Sequence, residues 1–348
     1  MNRKKIFFIS AGIFLLVVVI LGFSFYKKLF TPNVVIGEKD TFIFIPTGSD
    51  VAGIATMLKA EGVIENVNTF LWVADKKNYG KNIIPGKYKI TNGMGNNELI
   101  NLLRSGKQTP VNVTFNNVRT FPDLAGKVAK HLETDSSQFV HYFDTTTYFA
   151  SLGLKKEQAM TLLLPDTYEF KWNTSPLQFM QRMKREHDIF WNENRKQLLK
   201  NIKLTEQQAY TLASIVYAET KKSDEATRIA GVYKNRLSQK IPLQADPTVV
   251  FAIGDFTKTR VTYEDLQFES PYNTYKNQGL PPGPICMPPK KYIDAVLNYE
   301  RHDYIYFCAK EDLSGYSNFA KTLDEHNRNA RKYQEAYKIW LRKKTSEN

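Results

Sequence analysis

The chain has 348 residues, 42% hydrophobic and 13% aromatic, enough to bury more than one core, so two or three domains are expected and intrinsic disorder is excluded. Its 48 Lys and Arg against 35 Asp and Glu leave a net charge of +13, which favours anionic partners; the cations are scattered, with no zinc-finger or RNP pattern, which argues against nucleic-acid readout. Cys286 and Cys308, the only cysteines, exclude a multi-disulfide scaffold and a Cys-rich zinc site; they read as small buried hydrophobes, with pairing left open if the domain is exported.

From Ile6 to Tyr26 the chain carries no charge, about the 20 residues a helix needs to cross a bilayer. A cleavable signal would have a shorter apolar core and a small-x-small site. Here the run ends in Phe25-Tyr26-Lys27-Lys28, which predicts an uncleaved single-pass anchor. Arg3, Lys4 and Lys5 oppose Lys27 and Lys28 across the span; the expectation is residues 1–5 in the cytoplasm and everything after the span outside it. Residues 27–40, irregular from Thr31 on, read as a tether.

Phe42 to Ile45 is strand-like, and Thr47-Gly48-Ser49 supplies a turn and an N-cap for a helix whose Val51, Ile54, Ala55 and Leu58 share one face. A second helix is predicted from Val67 to Lys77, then a strand through Tyr88 and Ile90, a short helix with Leu99, Ile100, Leu102 and Leu103, and a closing strand through Val111, Val113 and Phe115. Two strands enclosing a helix pair suit a small α+β binding module. From Phe121 to Lys200 the chain is mainly helical, with one break at Leu164–Tyr168; Lys184 to Asp188 reads as a solvated face and His187 as a surface histidine.

Thr205 followed by Gln208 is a capping box, opening a helix that runs through Leu212, Ile215 and Val216 to Glu219. Glu219 lies seven residues from Leu212 and on the same apolar face, where desolvation raises a carboxyl pKa toward the range a general acid needs. The alternative is a glutamate at a helix end reaching into solvent beside Lys221 and Lys222. Ser223 reads as the cap of the next helix, with Asp224 and Glu225 in its first turn and Ile229, Tyr233 and Leu237 on its core face. The irregular stretch Pro271 to Ile285, rich in Pro, Gly, Tyr and Asn, suits sugar binding and suits a structural loop equally well. Tyr304 to Ala309 reads as a buried strand, and Ala330, Tyr333, Tyr337 and Trp340 as the inner face of the last helix. No His-Glu-x-x-His, Gly-x-Ser-x-Gly or phosphate-binding loop occurs, and the five histidines are not at metal-ligand spacing, so no metal site is expected and carboxylate chemistry remains.

Five motifs in order, Leu212-Ala213-Ser214-Ile215-Val216-Tyr217-Ala218-Glu219-Thr220, Gln244-x-Asp246-Pro247-Thr248-Val249, Tyr272-Asn273-Thr274-Tyr275, Gly279-Leu280-Pro281-Pro282-Gly283-Pro284-Ile285 and Glu325-His326-Asn327, resemble the MltG (YceG-like) family of endolytic murein transglycosylases over nearly the whole chain. The resemblance implies an α+β protein with a transmembrane helix (6–26), a LysM-like module (41–118), a mainly helical connecting region (119–204) and a mixed α+β catalytic domain (205–344). It implies cleavage of the MurNAc-GlcNAc β-1,4 bond to 1,6-anhydroMurNAc ends by Glu219, without cofactor, at the outer side of the cytoplasmic membrane. Many members carry a second Glu where this chain has Tyr217, and the run Cys286-Met287-Pro288-Pro289 stands where Asn-Pro-Gly is commoner. Gln244, Tyr272, Asn273 and Tyr275 are expected in the sugar groove, with Asp246, Thr248, His326 and Asn327 as further substrate-binding positions. Asp246 could also be the second carboxylate of a hydrolase or cap a turn. Peptidoglycan glycan strands are the implied partner, with wall synthases as a family expectation; a non-catalytic wall-binding scaffold is the rival reading.

Overall fold

The computed structural model describes residues 3–37, 40–258 and 260–346. Helix α1 (Arg3–Phe30) continues past Tyr26, and its Lys5–Phe30 stretch is long and apolar enough to cross a membrane. The chain divides into two compact units, the first formed by residues 1–113, 129–135 and 169–175, the second by 114–128, 136–168 and 176–348.

In the first unit, β1 (Thr41–Ile45) and β2 (Gly86–Ile90) pair antiparallel, Thr41 opposite Ile90 and Ile45 opposite Gly86. Alternation turns Ile43, Ile45, Tyr88 and Ile90 onto one face, where α2 (Val51–Ala60), α3 (Val67–Lys76) and α4 (Asn96–Ser105) bury Ile54, Leu58, Phe70, Val73, Leu99 and Leu103 against them. The cap of α2 is Asp50, which accepts from the Gly53 N–H at 2.7 Å, because the Ser49 hydroxyl is already donated to the Pro46 carbonyl. The stretch expected as a tether is docked: Asn33 and Val34 are buried, Val34 bridges to Ile64, and the Asn33 side chain donates to Asn96 Oδ1 at 2.7 Å while accepting from Asn66 N–H. Residues 38 and 39 of that stretch lie outside the described residues.

Strand β3 (Val111–Phe115) does not complete the β1–β2 sheet. It pairs with β4 (Asp166–Phe170), so the expected break at Leu164–Tyr168 leads into a strand. The second unit then holds α5 (Phe121–Val128), α6 (Ser136–Thr145), α7 (Tyr148–Ser151), α8 (Pro176–Phe190), α9 (Glu193–Ile202), α10 (Glu206–Glu219), α11 (Ala226–Ser238), α12 (Asp246–Ile253), α13 (Lys290–Leu297), the antiparallel hairpin β5 (Tyr306–Ala309) and β6 (Ser317–Ala320), and α14 (Leu323–Ser346). Helix α10 is its axis: every residue from Ala209 to Val216 is buried, and α11 and α13 pack along it. Gly231 lets α11 approach the chain at Glu300, whose carbonyl oxygen would stand 2.4 Å from a Cβ placed there.

Three sequence expectations change. His187 is buried on α8, not at the surface, because α8 turns that face inward with Met180 and Met183. β5 is half-buried. The Tyr333, Tyr337, Trp340 stripe of α14 is no inner face, since Tyr337 and Trp340 are 40% and 41% exposed.

Candidate active site

The Thr205 capping box is present as expected, with the Thr205 hydroxyl accepting from Gln208 N–H and Gln208 Oε1 from Thr205 N–H. It sets the register that brings Glu219 to the last position of α10, where Thr220 turns extended and ends the helix. Glu219 is half-buried and opens into a cleft of about 660 Å³, lined also by Arg119, Tyr217, Asp246, Phe251 and Ile285.

Burial pushes the Glu219 carboxyl up to about 7, and the charge of Asp246 adds to the rise, while a hydrogen bond from Tyr233 and the charge of Arg236 oppose it. The carbonyl end of α10 acts in the same direction as burial, since negative charge is disfavoured at a helix C-terminus. Tyr233, one helix away on α11, donates its hydroxyl to Glu219 Oε1 at 2.9 Å. The result is a carboxyl that both holds and releases a proton near neutral pH, with one lone pair fixed and the other oxygen left for a substrate.

Asp246 is exposed in the first turn of α12 and accepts from the Tyr275 hydroxyl at 2.5 Å. The cleft therefore contains two carboxylates, each held by a tyrosine, in different settings. Its other charges are cationic: Arg119, whose guanidinium lies 4.6 Å from the Phe256 ring, Lys221, Lys258 and Arg260. A groove of about 700 Å³ along Gly279–Pro282 carries Lys155, Lys203 and Lys234 and, among the described residues, no carboxylate to serve as an acid–base donor.

The remaining expected residues separate into three groups. Gln244 is exposed, with a left-handed backbone (φ 53°) held by its N–H to Thr274 O and by Arg236 Nη1 donating to its Oε1 at 3.0 Å. Tyr275 reaches the cleft through Asp246, and Tyr272 packs its ring 4.8 Å from Phe251, a cleft wall. Asn273 and Thr248, by contrast, are fully buried and present nothing to a sugar. Asn273 donates to Leu266 O and Phe268 O and accepts from Tyr275 N–H; Thr248 donates to Ala245 O and meets Thr274 Oγ1 at 2.8 Å. A long irregular loop has to satisfy its own backbone when buried, and these side chains do so. His326 stacks on Tyr306 at 5.3 Å, and Tyr306 in turn lies under the Arg236 guanidinium at 5.2 Å, so His326 reaches the Gln244 corner only through those two. Asn327 is exposed on α14 and is not among the residues lining the cleft.

Sequence reasoning missed Arg236 and the polar role of Tyr233. Arg236 is buried and donates to Ile305 O, Pro242 O and Leu243 O, fixing the chain that leads to Gln244. The signal was available: Ile229, Tyr233 and Arg236 share one inward stripe, and a hydroxyl and a guanidinium there require partners. Glu225 is likewise not a dipole residue. It is buried, α11 begins after it, and its Oε1 accepts from Ser317 N–H at 3.0 Å, tying β6 to the helix. Cys286 and Cys308 are free thiols; Cys286 borders the cleft, and burial pushes its thiol up to about 12.

A family model described as the YceG-like family matches residues 43–332. The chain is 32% identical to an endolytic murein transglycosylase of Bacillus subtilis (strain 168) over 90% of each chain. It is 29% identical to an endolytic murein transglycosylase of Streptococcus pneumoniae (strain ATCC BAA-255 / R6), spanning 94% of this chain and 65% of that one. The crystal structure of a YceG-like protein from Listeria monocytogenes superposes with a TM-score of 0.56 at 29% identity, covering 84% of this chain and 99% of that chain.

Proposed function

The chain belongs to the YceG-like family, and on that premise we propose that it is a lytic transglycosylase that cleaves murein glycan strands endolytically, with Glu219 as its acid and base. The observation that carries the assignment of Glu219 is its carboxyl, raised to about 7 at the end of a buried helix and open to the cleft.

Protonated Glu219 gives its proton to the glycosidic oxygen as the MurNAc C1–O bond breaks, and GlcNAc leaves with a free 4-hydroxyl. The carboxylate so formed takes the proton from the MurNAc C6 hydroxyl as O6 closes on C1, giving the 1,6-anhydro ring and restoring protonated Glu219. No water is consumed, and one carboxyl serves both steps. In this reading Asp246, held by Tyr275, orients the sugars flanking that bond, and Phe251, backed by Tyr272, supplies an aromatic wall, while Gln244 adds a polar group beside Arg236.

Asp246 shares the cleft, so a hydrolase with Glu219 as acid and Asp246 as base or nucleophile is the specific competitor. Mass spectrometry of digested, uncross-linked glycan separates the two. Anhydro ends are expected; reducing MurNAc ends would overturn the lyase reading. Binding without any cleavage would favour the scaffold.

Tyr233 tunes the acid. Its hydrogen bond favours the ionised carboxylate, so Tyr233→Phe raises the Glu219 pKa further and moves the alkaline limb of kcat/KM, expected near pH 7 in the wild type, roughly one pH unit higher. An unmoved limb in a pH–rate series would remove Tyr233 from this role.

The α1 segment supports a single-pass anchor with residues 1–5 in the cytoplasm and the catalytic unit outside. Two strands enclosing a helix pair, β1, α2, α3 and β2, support the LysM-like reading of residues 41–118, whose role in this proposal is to hold glycan.

A further inference from the structure

The first turn of α14 packs on the β5–β6 hairpin, with His326 against Tyr306, but from Arg331 to Lys344 every residue is exposed or half-exposed. Along this stretch Tyr333, Tyr337 and Trp340 follow helical spacing and stack in series, with ring centroids 5.9 and 5.6 Å apart, so they form one continuous aromatic stripe. At 3.6 residues per turn, Arg331, Lys338 and Arg342 fall on the opposite face together with Glu335, Lys332 and Lys343 fall on the flank, and Lys344 ends the stripe with its Nζ 5.2 Å from the Trp340 ring centroid, where its long stem lets the ammonium reach the headgroups. Arg331, Lys332, Lys338, Arg342, Lys343 and Lys344 make six basic residues in this stretch, against the single acid Glu335.

We propose that residues 331–344 lie in the headgroup layer of an anionic bilayer, with the aromatic stripe toward the acyl chains and the cations toward lipid phosphates. Tyrosine and tryptophan have an apolar body and a polar tip, which suits that layer, and the charge of the opposite face suits acidic lipid. A soluble polyanion would neutralise the cations and leave the stripe in water. A second copy would cover the stripe but leave the cations of the opposite face without an anionic partner. On the anchor reading above, α1 already brings the chain to a bilayer, so this second attachment forms at high effective concentration. The consequence is a catalytic unit oriented at the membrane surface from its C-terminal end.

The test uses the full chain reconstituted into phosphatidylcholine vesicles, with or without phosphatidylglycerol, the acyl chains brominated. The chain has four tryptophans, so the emission of wild type minus that of Trp340→Phe isolates Trp340. Brominated acidic vesicles are expected to quench the Trp340 signal to about half. Quenching should be lost in phosphatidylcholine alone and in the double variant Lys338→Glu with Arg342→Glu, whose substitutions lie on an exposed face and should leave the melting temperature unchanged. Three outcomes overturn the proposal: no quenching by acidic vesicles, equal quenching without acidic lipid, or a Trp340 signal that responds to added polyphosphate or to protein dilution but not to lipid.

Discussion

Replacing Glu219 by Gln is expected to lower glycan cleavage roughly 1,000-fold, the middle of the range for loss of a positioned general acid–base group. The amide keeps the volume and can still accept from Tyr233, but it neither gives nor takes a proton, so both halves of the reaction fail together. The same substitution has a signed effect on stability. The folded carboxyl titrates near 7 and its ordinary value is 4.5, so between these the unfolded chain sheds a proton that the folded chain keeps. The contribution of Glu219 is complete below pH 4.5 and is lost as pH rises through about 7. Glu219→Gln should therefore melt with the wild type at pH 4.5 and above it at pH 8. Thermal melts at the two pH values, beside product analysis, check both parts; a variant that retains cleavage removes Glu219 from the mechanism.

Gly283→Ala is expected to destabilise the second unit by about 3 kcal/mol. A Cβ at that position would stand 1.9 Å from the Glu157 carbonyl oxygen and 2.6 Å from its carbon, both backbone atoms that no rotamer change can move away. Tyr272 Oη would stand 3.2 Å from it, so relief of the clash also disturbs the loop behind the cleft wall. Gly279 is the internal control. It has φ +86° and open space around it, and alanine there costs only about 1 kcal/mol, the strain of a left-handed backbone. Urea denaturation of the two variants should rank them in this order, and equal midpoints would show that the Glu157 contact relaxes without cost.

The register of α10 is legible in sequence because two local signals agree: a capping box at Thr205 and apolar spacing through Val216 fix where the helix begins and which face it buries. Partners across the fold are not local, and there the reading fails for identifiable reasons. Alternation in Val111–Phe115 says which side chains share a face but not which strand lies alongside, so the strand is legible and its pairing with β4 is not. Ser317–Ala320 contains no β-branched residue, and only its pairing with β5 makes it a strand. Periodicity along α14 reports that a stripe exists, not that anything covers it. Asn273 shows the same limit at the site: composition marks it as a sugar ligand, while the loop's own carbonyls take both of its N–H groups.

A thiol that burial pushes up to about 12 stays protonated at neutral pH. Attack on peroxide or on a foreign disulfide proceeds through the thiolate. Burial thereby holds Cys286 back from thiolate chemistry at the edge of the cleft, so the thiol can stay unpaired there and is slow to form a mixed disulfide or a sulfenic acid beside Glu219.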